Sequence, residues 1–164
     1  MQWLNIFFVF SFLKVLVNAS TNVYGEALQP CSSSGMALTG YTREGDCSDH
    51  QQDTGSHHIC IDLSSTVGGN FCGVTGQPNW CASSMACHDD ASRQCPVQHW
   101  CVCQWAFATY IEKAGGCNMI QDLKCEAINM EAITAYKNNA MTQSRYLNAL
   151  NCLIDRCGIA NLEK

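Results

Sequence analysis

Thirteen cysteines in 164 residues, an odd number and all of them after residue 30, constrain this chain more than any other feature. They follow an apolar stretch at residues 3 to 17 (WLNIFFVFSFLKVLV), broken by Lys14. Val17 and Ala19 stand at the −3 and −1 places of a small-residue cleavage site. Residues 1–19 therefore read as a secretory signal peptide, although the start lacks the usual positive charge. The run is shorter than the ~20 residues a membrane span needs. Cysteine density behind such a leader predicts an oxidised, disulfide-stapled protein, secreted or held in the lumen of the secretory pathway. Thirteen being odd, at least one thiol is free, intermolecular or committed to other chemistry.

Nothing after residue 20 is apolar for long enough to cross a bilayer, so no membrane partner is expected once the leader is removed. Charged residues make up 14% of the chain, the formal net charge is −5, and no basic run occurs. A nucleic-acid partner is set aside, because nothing supplies the electrostatic part of such binding. The expected partner is a small molecule or an extracellular protein. The length suits one domain with a modest core.

Residues 20 to 56 are rich in Gly, Ser and Thr, with a short strand possible over Leu38–Arg43. His58–Leu63 (HICIDL) alternates β-branched residues with others and predicts a strand. Residues 64 to 99 are punctuated by Gly and Pro and predict a long irregular segment tied down by Cys72, Cys81, Cys87 and Cys95. From Trp100 the spacing of Cys103, Phe107, Tyr110, Ile111 and Ala114 predicts a helix stopped at Gly115-Gly116. Lys124–Ile128 predicts a strand and Glu131–Asn138 a short helix. Met141–Cys157 predicts a longer helix with Leu147, Leu150, Ile154 and Cys157 on one face and Gly158 as its cap. The fold class is α+β: a small single domain, strands in the first half and helices in the second, with many disulfides and long loops.

Four stretches in order carry a resemblance: Asn22-Val23-x-Gly25-x-x-Leu28-x-Pro30-Cys31; Thr39-Gly40-x-x-Arg43-x-Gly45-x-Cys47; Asp53-x-Gly55-Ser56-His57-x-x-Cys60; and Trp100-Cys101-x-Cys103. Together they resemble an uncharacterised, mainly bacterial family, the domain of unknown function 2237. The resemblance implies a family-like cysteine-rich domain over 20–138, with 72–95 as a loop insertion and 139–164 as a C-terminal helical extension. Ala106-Phe107 departs from the Arg-Trp pair the family tends to carry. It implies a residue list and no reaction. Five cysteines match the family pattern (Cys31, Cys47, Cys60, Cys101, Cys103). The other eight (Cys72, Cys81, Cys87, Cys95, Cys117, Cys125, Cys152, Cys157) are expected to pair among themselves, which leaves the odd thiol among the five. Cys152 and Cys157 point to different sides of a helix and need separate partners.

The resemblance directs attention to Asp53, His57, Cys60, Cys101 and Cys103. His57, Cys60, Cys101 and Cys103 would supply the four N/S ligands of a tetrahedral zinc site, although the spacing is not that of a finger. Against this, Cys31, Cys47, Cys60 and one of the last pair would form two disulfides in an oxidising compartment. A third reading makes Cys101 or Cys103 a nucleophile, with His57 as base and Asp53 as its orienter; a Cys-x-Cys redox pair is its variant. Backbone geometry separates these. Two residues apart on a helix is ~200° of rotation, whereas extended backbone keeps both sulfurs on one side. A cysteine opening the helix would be favoured as thiolate by the positive end of its dipole. The plainer reading of His57, favoured over catalysis, is a polar residue hydrogen-bonding in a turn after Gly55-Ser56, and His58, His88 and His99 carry no expected role. The leading functional expectation is a small-molecule or metal-binding protein with a Cys/His/Asp site. A thiol-dependent enzyme is the alternative, and a non-catalytic extracellular interaction module the third. For the last, Trp80 is the candidate surface tryptophan, with Trp100 and Trp105 more readily placed in the core.

Overall fold

The computed structural model describes residues 20–159; the leader expected at 1–19 and the last five residues lie outside them. Four strands and four helices alternate with long connections. They are β1 (Ile59–Asp62), α1 (Phe71–Thr75), β2 (Ser84–Ala86), β3 (Gln94–Pro96), β4 (His99–Val102), α2 (Gln104–Ala114), α3 (Met130–Asn139) and α4 (Ser144–Cys157). This is the expected mixed α+β arrangement of a small domain.

Pairing is economical. β1 lies antiparallel to β4 with Ile59 opposite Val102, Cys60 opposite Cys101, Ile61 opposite Trp100 and Asp62 opposite His99. β2 and β3 form a separate antiparallel pair. Ile59, Cys60, Ile61, Trp100, Cys101 and Val102 are all buried, so both faces of the β1–β4 ladder are covered by protein. A two-stranded ladder is not stable alone. Here α2 follows it directly, and α4 packs across α2 and α3. Phe71 from α1 meets Tyr110 from α2 edge-on, with ring centroids 5.1 Å apart.

Several local expectations are corrected by this pairing. The helix expected from Trp100 begins at Gln104, because Trp100–Val102 extend to pair with β1. Leu38–Arg43 forms no strand; only Ala37 makes an isolated bridge, with Cys87. The strand expected at Lys124–Ile128 is a one-turn 3-10 helix over Cys125–Ala127. Residues 64–99 are less irregular than expected, since α1 and the β2–β3 pair fall within them. The last helix starts at Ser144, and its buried face is Ala149, Leu150, Cys152, Leu153 and Cys157, leaving Leu147 exposed. Leu150 and Cys157 of the expected face are buried and Ile154 is half-buried, so the row departs from the covered face only at Leu147.

Six disulfides bind these pieces: Cys31–Cys60, Cys47–Cys101, Cys72–Cys81, Cys87–Cys95, Cys117–Cys152 and Cys125–Cys157. The eight additional cysteines pair among themselves, and Cys152 and Cys157 have separate partners, as their positions on the helix require. Cys103 is the free thiol. Among the described residues no helix is long and apolar enough to cross a membrane. Six disulfides fit an oxidising compartment.

Candidate functional site

Cys103 follows the last strand residue and caps the N-terminus of α2, on extended backbone (φ −56°, ψ 126°). Its carbonyl accepts the first helical hydrogen bond, from Phe107 N–H at 2.9 Å. The N–H groups of the first helical turn have no intrahelical acceptor. That of Gln104 is taken by the Ser56 carbonyl at 3.0 Å. This bond ties the start of α2 to the loop that carries His57. Ser56 sits at φ +48°, left-handed backbone that a residue with a Cβ adopts at a cost of about 1–2 kcal/mol.

That loop is built around Asp53. Its carboxylate accepts from Gly55 N–H at 3.1 Å, from His57 N–H at 2.7 Å and from His57 Nδ1 at 2.8 Å. The ring contact fixes the proton on Nδ1 and leaves Nε2 as the basic nitrogen. Burial of Asp53 disfavours its charged form. The His57 backbone N–H, the His57 ring and the Gly55 N–H outweigh that, so the carboxyl is held below its ordinary value of 3.8. With the folded value below the unfolded one, Asp53 stabilises the native state above about pH 4 and loses that contribution as pH falls through the folded value. Denaturant titrations between pH 2 and 6 should show a shallower acid limb in Asp53→Asn than in the parent; an unchanged limb would refute the coupling.

Gly55 makes room for this pair. A Cβ there would lie 2.6 Å from His57 Cε1 and 3.3 Å from Asp53 Oδ1. Gly55→Ala should therefore push the ring off the carboxylate. The expected result is Cys103 reactivity between those of the parent and of a His57→Ala variant, measured by thiol labelling at pH 7. Parent-like labelling would contradict this role for Gly55.

Cys103 and His57 line one small cavity of about 80 Å³, with Trp80, Trp100, Cys101 and Ala106 among its walls. A second cavity of about 290 Å³ shares His57, Trp100 and Cys101 with the first and is bounded also by Gly40, Tyr41 and Arg43. The His57 ring stacks on Tyr41 with centroids 6.3 Å apart. Behind the thiol, Tyr136 donates its hydroxyl hydrogen to the Gln104 carbonyl. Burial pushes the Tyr136 hydroxyl well above its ordinary value, and the charges of Cys103 and Tyr146 add to the effect, so it stays a donor. Another cavity, of about 510 Å³, lies between α2 and α4 beside Glu112 and Asp155.

The structure sorts the sequence candidates. Asp53 bonds His57, and His57 and Cys103 line the same cavity. Cys60 and Cys101 stand near them but are spent in disulfides to Cys31 and Cys47. The zinc set His57, Cys60, Cys101 and Cys103 does not fit, because a sulfur bonded to sulfur is no thiolate ligand. For the same reason Cys101 is not the nucleophile. The sulfurs of Cys31, Cys47 and Cys101 do lie within 4.8 Å of one another. That trio shares only Cys101 with the zinc set expected from the sequence, and all three sulfurs are held in disulfides. Trp80 is not a free platform: it is half-buried, packs against Trp100 at 5.7 Å between centroids and donates Nε1–H to Gln77. Trp100 is buried and Trp105 half-buried.

Some supporting residues had no sequence signal. Buried His58 shares hydrogen bonds with Gln104 at 2.9 Å and Asp49 at 3.0 Å, pinning the second end of the same loop to α2. His99 bonds the Cys31 carbonyl at 3.0 Å and His88 bonds Ser32 Oγ at 3.1 Å, so both are fixed and half-buried. The alternation of His58 with Ile59 and Cys60 could have shown which side of the strand it takes, but not its partners.

A model of the family described as "Uncharacterized protein conserved in bacteria (DUF2237)" matches residues 21–145. No curated protein matches the chain. The matched span holds Asp53, His57 and Cys103 along with the walls of both cavities beside His57.

Proposed function

The chain belongs to the DUF2237 family, and from that premise and the Cys103 cavity we propose that it is a thiol-dependent enzyme of an oxidising, secretory or extracellular compartment. The observation that carries this is that Cys103, the one cysteine without a disulfide, shares its cavity with a histidine whose Nδ1 is held by a carboxylate. A nucleophile, a base and an orienter are what thiol catalysis needs. In this reading Cys103 Sγ attacks an electrophilic carbonyl carbon while its proton passes to His57 Nε2. The carbonyl oxygen then carries negative charge at the start of α2, where the N–H groups of Trp105 and Ala106 have no intrahelical acceptor. Collapse expels the leaving group, which takes the proton from His57, and water hydrolyses the thioester with His57 again as base. Asp53 keeps the ring oriented and in one tautomer throughout.

A small-molecule binding role without chemistry would use the same cavity but would not need the Asp53–His57 contact. Incubation of the non-reduced protein with p-nitrophenyl acetate, followed by peptide mapping, tests the proposal. Acetylation should fall on Cys103 alone, with release of one equivalent of nitrophenolate before any slower turnover. Labelling spread over lysines, with Cys103 untouched, would sink it.

A further inference from the structure

Arg43 is placed unlike the other cations near it. It adopts φ +60°, a left-handed backbone that disfavours any side chain with a Cβ. Gly40 closes the same turn at φ +94°, where a Cβ would lie 2.5 Å from the Asp46 carbonyl oxygen. The turn lays the guanidinium 4.8 Å from the centroid of the Trp100 ring. Nη1 donates to the Gly40 carbonyl at 3.0 Å. Among the described residues no carboxylate pairs with it, although the chain is acidic overall and Arg93 and Arg156 both hold aspartates. The nearby Glu44 is engaged with Thr42 Oγ1 at 2.8 Å. An arginine has five N–H donors, and a planar fork of them matches a carboxylate.

Arg43 lines the 290 Å³ cavity whose wall includes His57, and that cavity shares His57, Trp100 and Cys101 with the smaller one holding Cys103. We infer that Arg43 is a carboxylate-binding subsite, and that the substrate is a small acid whose carboxylate rests on Arg43 while its electrophilic carbon reaches Cys103. This rests on the thiol reading of the site above. Trp100 supports the cation from one side, and the same ring closes the cavity of Cys103, so one side chain registers the two ends of the substrate. The Tyr41 ring, stacked on His57, walls the space between.

The test pairs reactive acids with their neutral amides: iodoacetate with iodoacetamide, and 3-iodopropionate with 3-iodopropionamide. In each, the Cys103 sulfur forms a bond to carbon, iodide leaves, and the thiol proton goes to His57. At least one acid should label Cys103 faster than its amide, and Arg43→Gln should lower that acid-to-amide ratio by about tenfold, the value of a hydrogen-bonded charge. Arg43→Lys, which keeps the charge without the fork, should keep an intermediate ratio. A ratio unmoved by Arg43→Gln, with amide labelling still dependent on His57, overturns the subsite and leaves the thiol reading standing. Amide labelling that ignores His57 overturns both. If Arg43→Gln does not fold, protection of the parent decides. Acetate or N-acetylglycine should shield Cys103 saturably, with the better of the two telling a free small acid from a peptide-like terminus. Shielding by neither overturns the inference.

Discussion

Replacing His57 by alanine should slow acylation of Cys103 by p-nitrophenyl acetate at pH 7 by about a hundredfold or more, the usual worth of a positioned general base. The expectation follows from geometry. Nδ1 is committed to Asp53 at 2.8 Å, so the other ring nitrogen is the proton acceptor left for the thiol. Cys103→Ser should abolish the nitrophenolate burst, because a hydroxyl in the same place is a far weaker nucleophile. Asp53→Asn should fall between His57→Ala and the parent: the ring stays but its tautomer and orientation are no longer held. The ordering matters as much as the size. His57→Ala reacting at the parent rate would falsify the base assignment, whatever Asp53→Asn does.

The second large effect concerns stability. Cys47 and Cys101 are 54 residues apart, and removing a crosslink of that span costs about 4 kcal/mol by loop-closure entropy. Cys87 and Cys95 are 8 apart, which gives about 2.5 kcal/mol. The paired variant Cys47→Ser/Cys101→Ser should therefore melt well below Cys87→Ser/Cys95→Ser, with a drop of about 10 °C from the parent. Urea unfolding of both variants at fixed pH would check the order. Equal losses would mean that native-state strain or residual unfolded structure governs these bonds instead of loop length. All four of these cysteines are buried, so burial does not separate the two variants and loop length alone sets the expected order.

The sequence made the disulfide division readable but not the individual bonds. Position on a helix forced Cys152 and Cys157 apart, yet only folding brings Cys117 and Cys125 to them. The zinc set failed in an instructive way. Cys60 and Cys101 do face each other across adjacent strands, as a shared site would need, and each is drawn off by a cysteine from the first loop. Trp100, Cys103 and Phe107 have helical spacing, and that spacing misled for the first three residues because pairing with β1 outweighs a local preference. Pairing with β1 and the cap at Cys103 thus set the backbone between Cys101 and Cys103. Arg43 and Ser56 were invisible as backbone, since no periodicity marks a left-handed non-glycine. His57 and Asp53 were legible as types, and their contact depended on Gly55, whose missing side chain gives the ring its place.

The Cys47–Cys101 bridge has one more consequence. It ends two residues before the free thiol, and its other arm anchors the turn that lays Arg43 over Trp100. The site thus asks for opposite oxidation states from neighbouring sulfurs. Surroundings reducing enough to open the bridge release the Arg43 turn, and surroundings oxidising enough to convert Cys103 to its sulfenic acid remove the nucleophile. The activity proposed for Cys103 would then be confined to a band of ambient potential, its lower edge set by a disulfide and its upper edge by a thiol.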